Sequence, residues 1–126
     1  MNLKGYLVIC TVLAGCQQIE KNMDKEIGAI EVVIFKTKEG FSQDQAQAAL
    51  EKLNDLVKGY DGFISRKLSV DEKGNWMDLV YWESQDLAIK AAEEVMKVPE
   101  AAEIFQVIEE TSMQMHHFQP LMAFEN

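Results

Sequence analysis

Cysteine is confined to the start of this 126-residue chain: Cys10 and Cys16 lie in the first sixteen residues, and none follows. The body therefore has no disulfide framework, no CxxC pair and no cysteine-based zinc site. Phosphate-cradling glycine loops, H-E-x-x-H and G-x-S-x-G are absent as well, which removes the commonest nucleotide, zinc-protease and serine-hydrolase signatures. Basic residues are few, 12 Lys and Arg against 21 Asp and Glu, for a formal charge of −9. Such a chain repels phosphate backbones, so nucleic acid is not expected as a partner. No apolar run reaches the ~20 residues needed to cross a bilayer as a helix. Proline occurs twice, at Pro99 and Pro120, and both read as breaks in regular structure.

What is present begins with "MNLKGYLVICTVLAGC". Lys4, an apolar run from Tyr6 to Leu13 and the small pair Ala14-Gly15 follow the three-part plan of a secretory signal. Leu13-Ala14-Gly15-Cys16 resembles the lipobox of bacterial lipoproteins. That resemblance implies a signal peptide over 1–15, cut before Cys16, and lipidation of the Cys16 thiol as a membrane anchor. Gln17, where an aspartate would signal inner-membrane retention, implies a place in the cell envelope at the outer membrane, facing the periplasm. Polar residues 16–26 read as lipidated cysteine and tether, and 27–126 as one folded domain.

Within that domain the hydrophobic period alternates between two and 3.6. "IGAIEVVIFKTK" predicts a first strand at about 28–37. Ser42 with Gln45 forms a capping box, opening a helix whose stripe runs through Ala46, Ala49, Leu50, Leu53, Leu56 and Val57 to Gly59. "FISRKLSV" and "WMDLVYWES" predict a hairpin around "DEKGN", with Gly74-Asn75 at the positive-φ positions. Ser84 caps a second helix with a stripe at Ala88, Ala91, Ala92, Val95 and Met96. Pro99 opens a fresh helical segment to about Glu110. "SMQMHHFQPL" predicts a last strand, with Met113, Met115 and Met122 as core filler.

The order β-α-β-β-α-β predicts an α+β, ferredoxin-like fold. It has a four-stranded antiparallel sheet in order 4-1-3-2 and both helices on one face. The other face then needs a cover, most simply a second copy of the chain. Strand alternation groups Ala29, Glu31, Val33 and Phe35; Ile64, Arg66, Leu68 and Val70; and Trp76, Asp78, Val80 and Trp82. Asp78 is placed to neighbour both Glu31 and Arg66. His116 and His117 point to opposite faces, so they do not share a metal, and no metal site is expected. Two readings of this polar row stand side by side. In one, Arg66 binds an anion and a histidine or a crowded carboxylate moves a proton. In the other, the charges pair with one another, and Trp76 and Trp82 fill a core.

The residues "YDGFISRKLSVDEKGNWMDLVYWES", "VP", "F" and "I" in the following helices, and "MHHFQPL" resemble the dimeric α/β-barrel superfamily. Within it they are closest to the antibiotic-biosynthesis-monooxygenase-like group, over about 28–121. The resemblance implies two ferredoxin-like subunits joining their sheets into a barrel. It implies a homodimer that binds a small apolar or aromatic molecule, in some members with cofactor-independent monooxygenation. In the enzymatic version of this reading, the candidate proton acceptor from an acidic phenol or carbon is His117, Asp78 or His116. Trp82, Trp76, Arg66 and Glu31 become substrate-binding residues, and no cofactor is needed. Haem-degrading members use an Asn on the first strand, a Trp on the third and a His on the second helix. Trp82 matches the Trp, but the Asn and the His are missing here. The alternative is a non-catalytic binding or assembly domain.

Overall fold

In the computed structural model, residues 26–126 are described; the expected signal peptide, Cys16 and nearly all of the expected tether lie outside them. Strand β1 (Ala29–Phe35) leads to helices α1 (Gln43–Glu51) and α2 (Leu53–Val57). The hairpin β2 (Phe63–Val70) and β3 (Trp76–Trp82) follows, then α3 (Gln85–Val95) and α4 (Pro99–Phe105). A 3₁₀ turn at Glu110–Ser112 precedes β4 (Gln114–Phe118). The sheet order β2-β3-β1-β4 is wholly antiparallel, so the predicted ferredoxin-like α+β topology is present.

Local chemistry sets the element ends. The Ser42 hydroxyl accepts from the Gln45 N–H, while the Gln45 side chain accepts from the Ser42 N–H, satisfying two otherwise free donors. Ser84 caps α3 through the Leu87 N–H, and Pro99 sits in the first turn of α4. In the hairpin only Gly74 has positive φ, at 83°. Asn75 instead donates to Asp71, whose carboxylate also accepts from the Lys73 N–H. The predicted Gly-Asn pair is thus replaced by one left-handed glycine and an aspartate-knotted loop.

Three further expectations change. The first helix is interrupted at Lys52, where Arg66 Nη1 donates to the Leu50 carbonyl at 3.0 Å. A side-chain donor entering the helical ladder bends or breaks it. A register shift between Phe63 and Ser65 makes Ile64 the unpaired residue of a bulge. Phe63, not Ile64, therefore shares the inner face with Arg66, Leu68 and Val70. Finally, Met113, Met115 and Met122 are 44%, 47% and 81% exposed, so they are not core filler, and Met96 is 68% exposed at the end of its stripe. The helices pack on β1 and β3 and leave the inner side of β4 open.

The core between sheet and helices has two apolar parts. One joins Phe35, Leu50, Leu53, Trp76, Ile104 and Ile108, with Phe35 and Trp76 stacked at 6.2 Å. The other joins Ala29, Val80, Trp82, Ala88 and Ala91, with Phe63 edge-on to Trp82 at 5.8 Å. Along β1, Glu31 lies between Ala29 and Phe35; along β3, Asp78 lies between Trp76 and Val80. A seam of charge therefore crosses the inner face between the two apolar parts.

Candidate functional site

The seam is built from four strands. Glu31 faces His117 across the β1–β4 pair, and Arg66 lies beside Asp78 across β2–β3. Alternation places every one of these side chains on the helix-facing side, because Ala29, Phe35, Trp76 and Val80 on the same rows are buried there.

Arg66 and Asp78 are joined by two parallel bonds, Nε to Oδ1 at 2.9 Å and Nη2 to Oδ2 at 2.7 Å. Nη1 donates to the Leu50 carbonyl and, at 2.7 Å, to Asn54 Oδ1. Four of the five guanidinium N–H groups thus have protein acceptors. The two side chains are only 5% and 12% exposed. This fork-to-fork geometry is the strong form of an ion pair, and it leaves Arg66 little capacity for an external anion.

Glu31 behaves differently. It is 7% exposed, and burial pushes its carboxyl above the ordinary value, an effect reinforced by the charge of Asp78. The hydrogen bond and charge of His117 oppose the rise. His117 Nε2 stands 2.8 Å from Glu31 Oε2. Two proton arrangements fit: Nε2–H donating to a carboxylate, or a carboxylic acid donating to Nε2. The His117 side chain is 16% exposed, so this pair reaches solvent at the edge the helices leave open. A carboxyl and an imidazole sharing one proton next to solvent can accept or deliver that proton.

The other predicted site residues separate from this pair. His116 lies on the opposite sheet face, exposed, with its ring 6.0 Å from Phe118. Trp76 and Trp82 are 3% and 2% exposed, each walled in by its apolar cluster. Trp82 Nε1 is a buried polar atom without a hydrogen-bond partner; the indole N–H is near enough to Glu31 to favour its ionised form slightly. Two surface pockets of about 260 and 500 Å³ lie elsewhere, one beside Tyr60, Leu87 and Lys90, the other between Leu56 and Ile104. Neither is lined by a seam residue. Sequence reasoning missed Asn54, the third anchor of Arg66. Its spacing of four residues from Leu50 on one helix face was the available signal. Among the described residues no group of three or more His, Cys, Asp or Glu side chains is placed to hold a metal.

No family model matches the chain, and no curated protein matches it. Solved structures do. SnoaB from Streptomyces nogalater, a cofactor-independent oxygenase, aligns in a mutant form with a TM-score of 0.65 at 11% identity. The alignment covers 80% of this chain and 100% of that one. A dimeric ferredoxin-like protein from an uncultured marine organism aligns at 0.60 and 12% identity, over 81% and 95% of the two chains. A monooxygenase of Streptomyces coelicolor, solved with the ligand nanaomycin D, aligns at 0.57 and 14%, over 83% and 97%. At these identities the likeness is one of backbone, and the chain has the ferredoxin-like fold found in antibiotic-biosynthesis-monooxygenase-like domains.

Proposed function

We propose that this chain is a homodimeric, antibiotic-biosynthesis-monooxygenase-like domain that binds a small apolar or aromatic molecule. In the proposal it is held in the cell envelope through a lipidated Cys16, at the outer membrane facing the periplasm. The observation that carries the binding role is the Glu31–His117 pair: a buried carboxyl and an imidazole 2.8 Å apart, open to solvent at one sheet edge. In the enzymatic version a substrate enters at that edge and His117, backed by Glu31, removes a proton from an acidic phenol or carbon. The resulting anion then reduces O₂ without a cofactor. The similar folds of a cofactor-independent oxygenase and of a monooxygenase that holds nanaomycin D support this reading. The homodimer is supported by the sheet face opposite the helices. That face carries Ile34, Met77 and Phe118 at 38%, 38% and 53% exposure, and a second copy would cover it.

A non-catalytic binding or assembly role is favoured by a different observation. Arg66 and Asp78 are satisfied by each other and by α1 and α2, as a structural ion pair would be.

The test is a titration of the purified chain with a panel of hydroxylated aromatic compounds, followed by tryptophan fluorescence and by an oxygen electrode. The enzymatic version expects saturable quenching, O₂ uptake, and loss of uptake but not of quenching in His117→Gln. Quenching without uptake supports the non-catalytic role. No saturable binding into the millimolar range refutes small-molecule binding, catalytic or not, and leaves the assembly role. Metabolic labelling with palmitate tests the anchor, and undiminished incorporation in Cys16→Ser would exclude it.

A further inference from the structure

The Trp82 indole N–H is a buried donor, and among the described residues it has no hydrogen-bond partner. Trp82 is 2% exposed, so the group is left over inside the fold rather than at its surface. A buried polar group without a partner is uncommon and calls for a reason. The register of β1 against β3 says what it faces. Ala29 pairs with Trp82 and Glu31 with Val80, so Glu31 and Trp82 are diagonal neighbours on the inner face. Diagonal positions of an antiparallel pair lie ~7–8 Å apart, within reach of an aromatic or long side chain. Burial holds the ionisation of Glu31 up; His117 works against it, Asp78 with it, and the Trp82 indole also favours the carboxylate.

Glu31 has one oxygen to spare. Oε2 is taken by His117 Nε2 at 2.8 Å, whereas Oε1 has no hydrogen-bond donor among the described residues. An ionised carboxyl accepts at both oxygens, so an indole N–H on one and Nε2–H on the other are compatible. A donor placed there favours the carboxylate over the acid, because the bond to a charged acceptor is the stronger one. Ionised Glu31 in turn draws the imidazole proton to Nε2 and leaves Nδ1 with a free lone pair. Nδ1 has no partner among the described residues, and the His117 side chain reaches solvent at the open edge. The other charges nearby are committed: Arg66 is bound to Asp78, and α3 presents Ala88 and Ala91 to this part of the sheet.

We propose that Trp82 is a positioning residue. Its indole N–H closes on Glu31 Oε1 as Glu31 ionises, and so fixes His117 in the Nε2–H tautomer with Nδ1 as the proton-accepting atom. Trp82 thus acts on the proton through Glu31 and His117, and not by stacking on a ligand. The assignment deepens the enzymatic reading above and rests on it for the use of the proton, but its test needs no substrate.

The experiment is NMR of the full chain across pH 4 to 8, reading the imidazole nitrogens, the indole protons and the Glu31 carboxyl carbon. A His116→Gln background leaves His117 as the single histidine. The Trp82 indole proton is expected to shift on the Glu31 step, and to lose that response in Glu31→Gln while the Trp76 indole stays as it was. Above the step, His117 is expected to carry its proton on Nε2. Benzothienylalanine in place of Trp82 keeps the ring system and exchanges N–H for sulfur. It is expected to raise the Glu31 step by about 1–2 pH units, the size of one hydrogen bond to a charged group. A Trp82 that only fills the core leaves the step where it is. The proposal is overturned if the indole proton ignores the Glu31 step, or if the isostere leaves that step unmoved. Should the isostere fail to fold, the indole response of the parent decides alone. A missing indole response leaves the oxygen-electrode test of His117 standing. An indole response without O₂ uptake keeps the Trp82 assignment and refutes the enzymatic version.

Discussion

Removing Asp78 should be among the most damaging single changes in the domain. In Asp78→Ala the Arg66 guanidinium loses both acceptors of its Nε and Nη2 groups, at a site where its side chain is 5% exposed. It remains tethered through Nη1 to Leu50 and Asn54, so it cannot simply swing to water. Stripping one partner from a buried pair costs about 3–5 kcal/mol. That is about a fifth or more of the ~5–15 kcal/mol that holds a typical domain together. At ~4–8 °C per kcal/mol for a domain of about 100 residues, Tm should fall by more than ~12 °C. The isosteric replacement of both partners, Arg66→Met with Asp78→Leu, removes the stranded charge. It also frees the Leu50 carbonyl and Asn54, at ~1–3 kcal/mol for each group left without a partner. The double variant should therefore be more stable than Asp78→Ala. Urea unfolding of the parent, Arg66→Met, Asp78→Leu and the double variant gives the coupling energy directly. If Asp78→Ala lies within about 0.5 kcal/mol of the parent, as an exposed substitution would, the seam is not a buried ion pair. Strict additivity of the two single changes would refute the reasoning equally.

Glu31 should impose a pH dependence of the opposite sign to an ordinary paired carboxylate. Its folded-state value is raised by burial, so the folded chain holds the proton more tightly than the unfolded chain. This contribution is fully present below the ordinary carboxylate range and is lost as pH rises through the raised value. Urea midpoints of the parent and Glu31→Gln across pH 4 to 7 should show the slope in the parent only. Asp71, exposed and held below its ordinary value by Asn75, works the other way: what it adds to the hairpin is lost as pH falls through that lowered value. Asp71→Ala should accelerate hydrogen exchange at the Lys73 and Asn75 amides, measured by NMR, with little change in the rest of β2 and β3. Gly28→Ala should destabilise markedly, because a Cβ there would lie 2.0 Å from the Glu83 carbonyl oxygen. Gly59→Ala meets only an ordinary 3.6 Å contact and is the control. Thermal melts should separate the two by about 1–3 kcal/mol, the usual cost of overpacking.

Much of the site was legible from period and order alone. The two-residue repeat puts Glu31, Asp78 and Arg66 on single-file rows, and the β-α-β-β-α-β order places the third strand between the first and second. Asp78 beside Arg66 follows from those two facts. What alternation cannot reveal is a break in alternation. The bulge at Ile64 replaces it with Phe63 on the inner face, and no residue type in "GFISR" announces that. The interruption of the first helix at Lys52 was equally hidden. It depends on a carbonyl of α1 being reached by an arginine sixteen residues further on.

For the histidines, the sequence sets them apart on opposite faces without saying which faces inward. Register decides it: pairing β4 so that His117 meets Glu31 sends His116 to the uncovered side. Whether the methionines are buried depends on how far the helices extend over the sheet, a matter of packing between elements distant in the chain. The caps at Ser42 and Ser84, the left-handed glycine at Gly74, the strand order and the apolar stripes were determined by the sequence, because each depends on neighbours a few residues away or on simple periodicity. The charged seam, the open edge at β4 and the pairing of Glu31 with His117 were decided by tertiary structure. They arise from contacts between residues as many as 86 positions apart, whose energies depend on burial that no local pattern encodes.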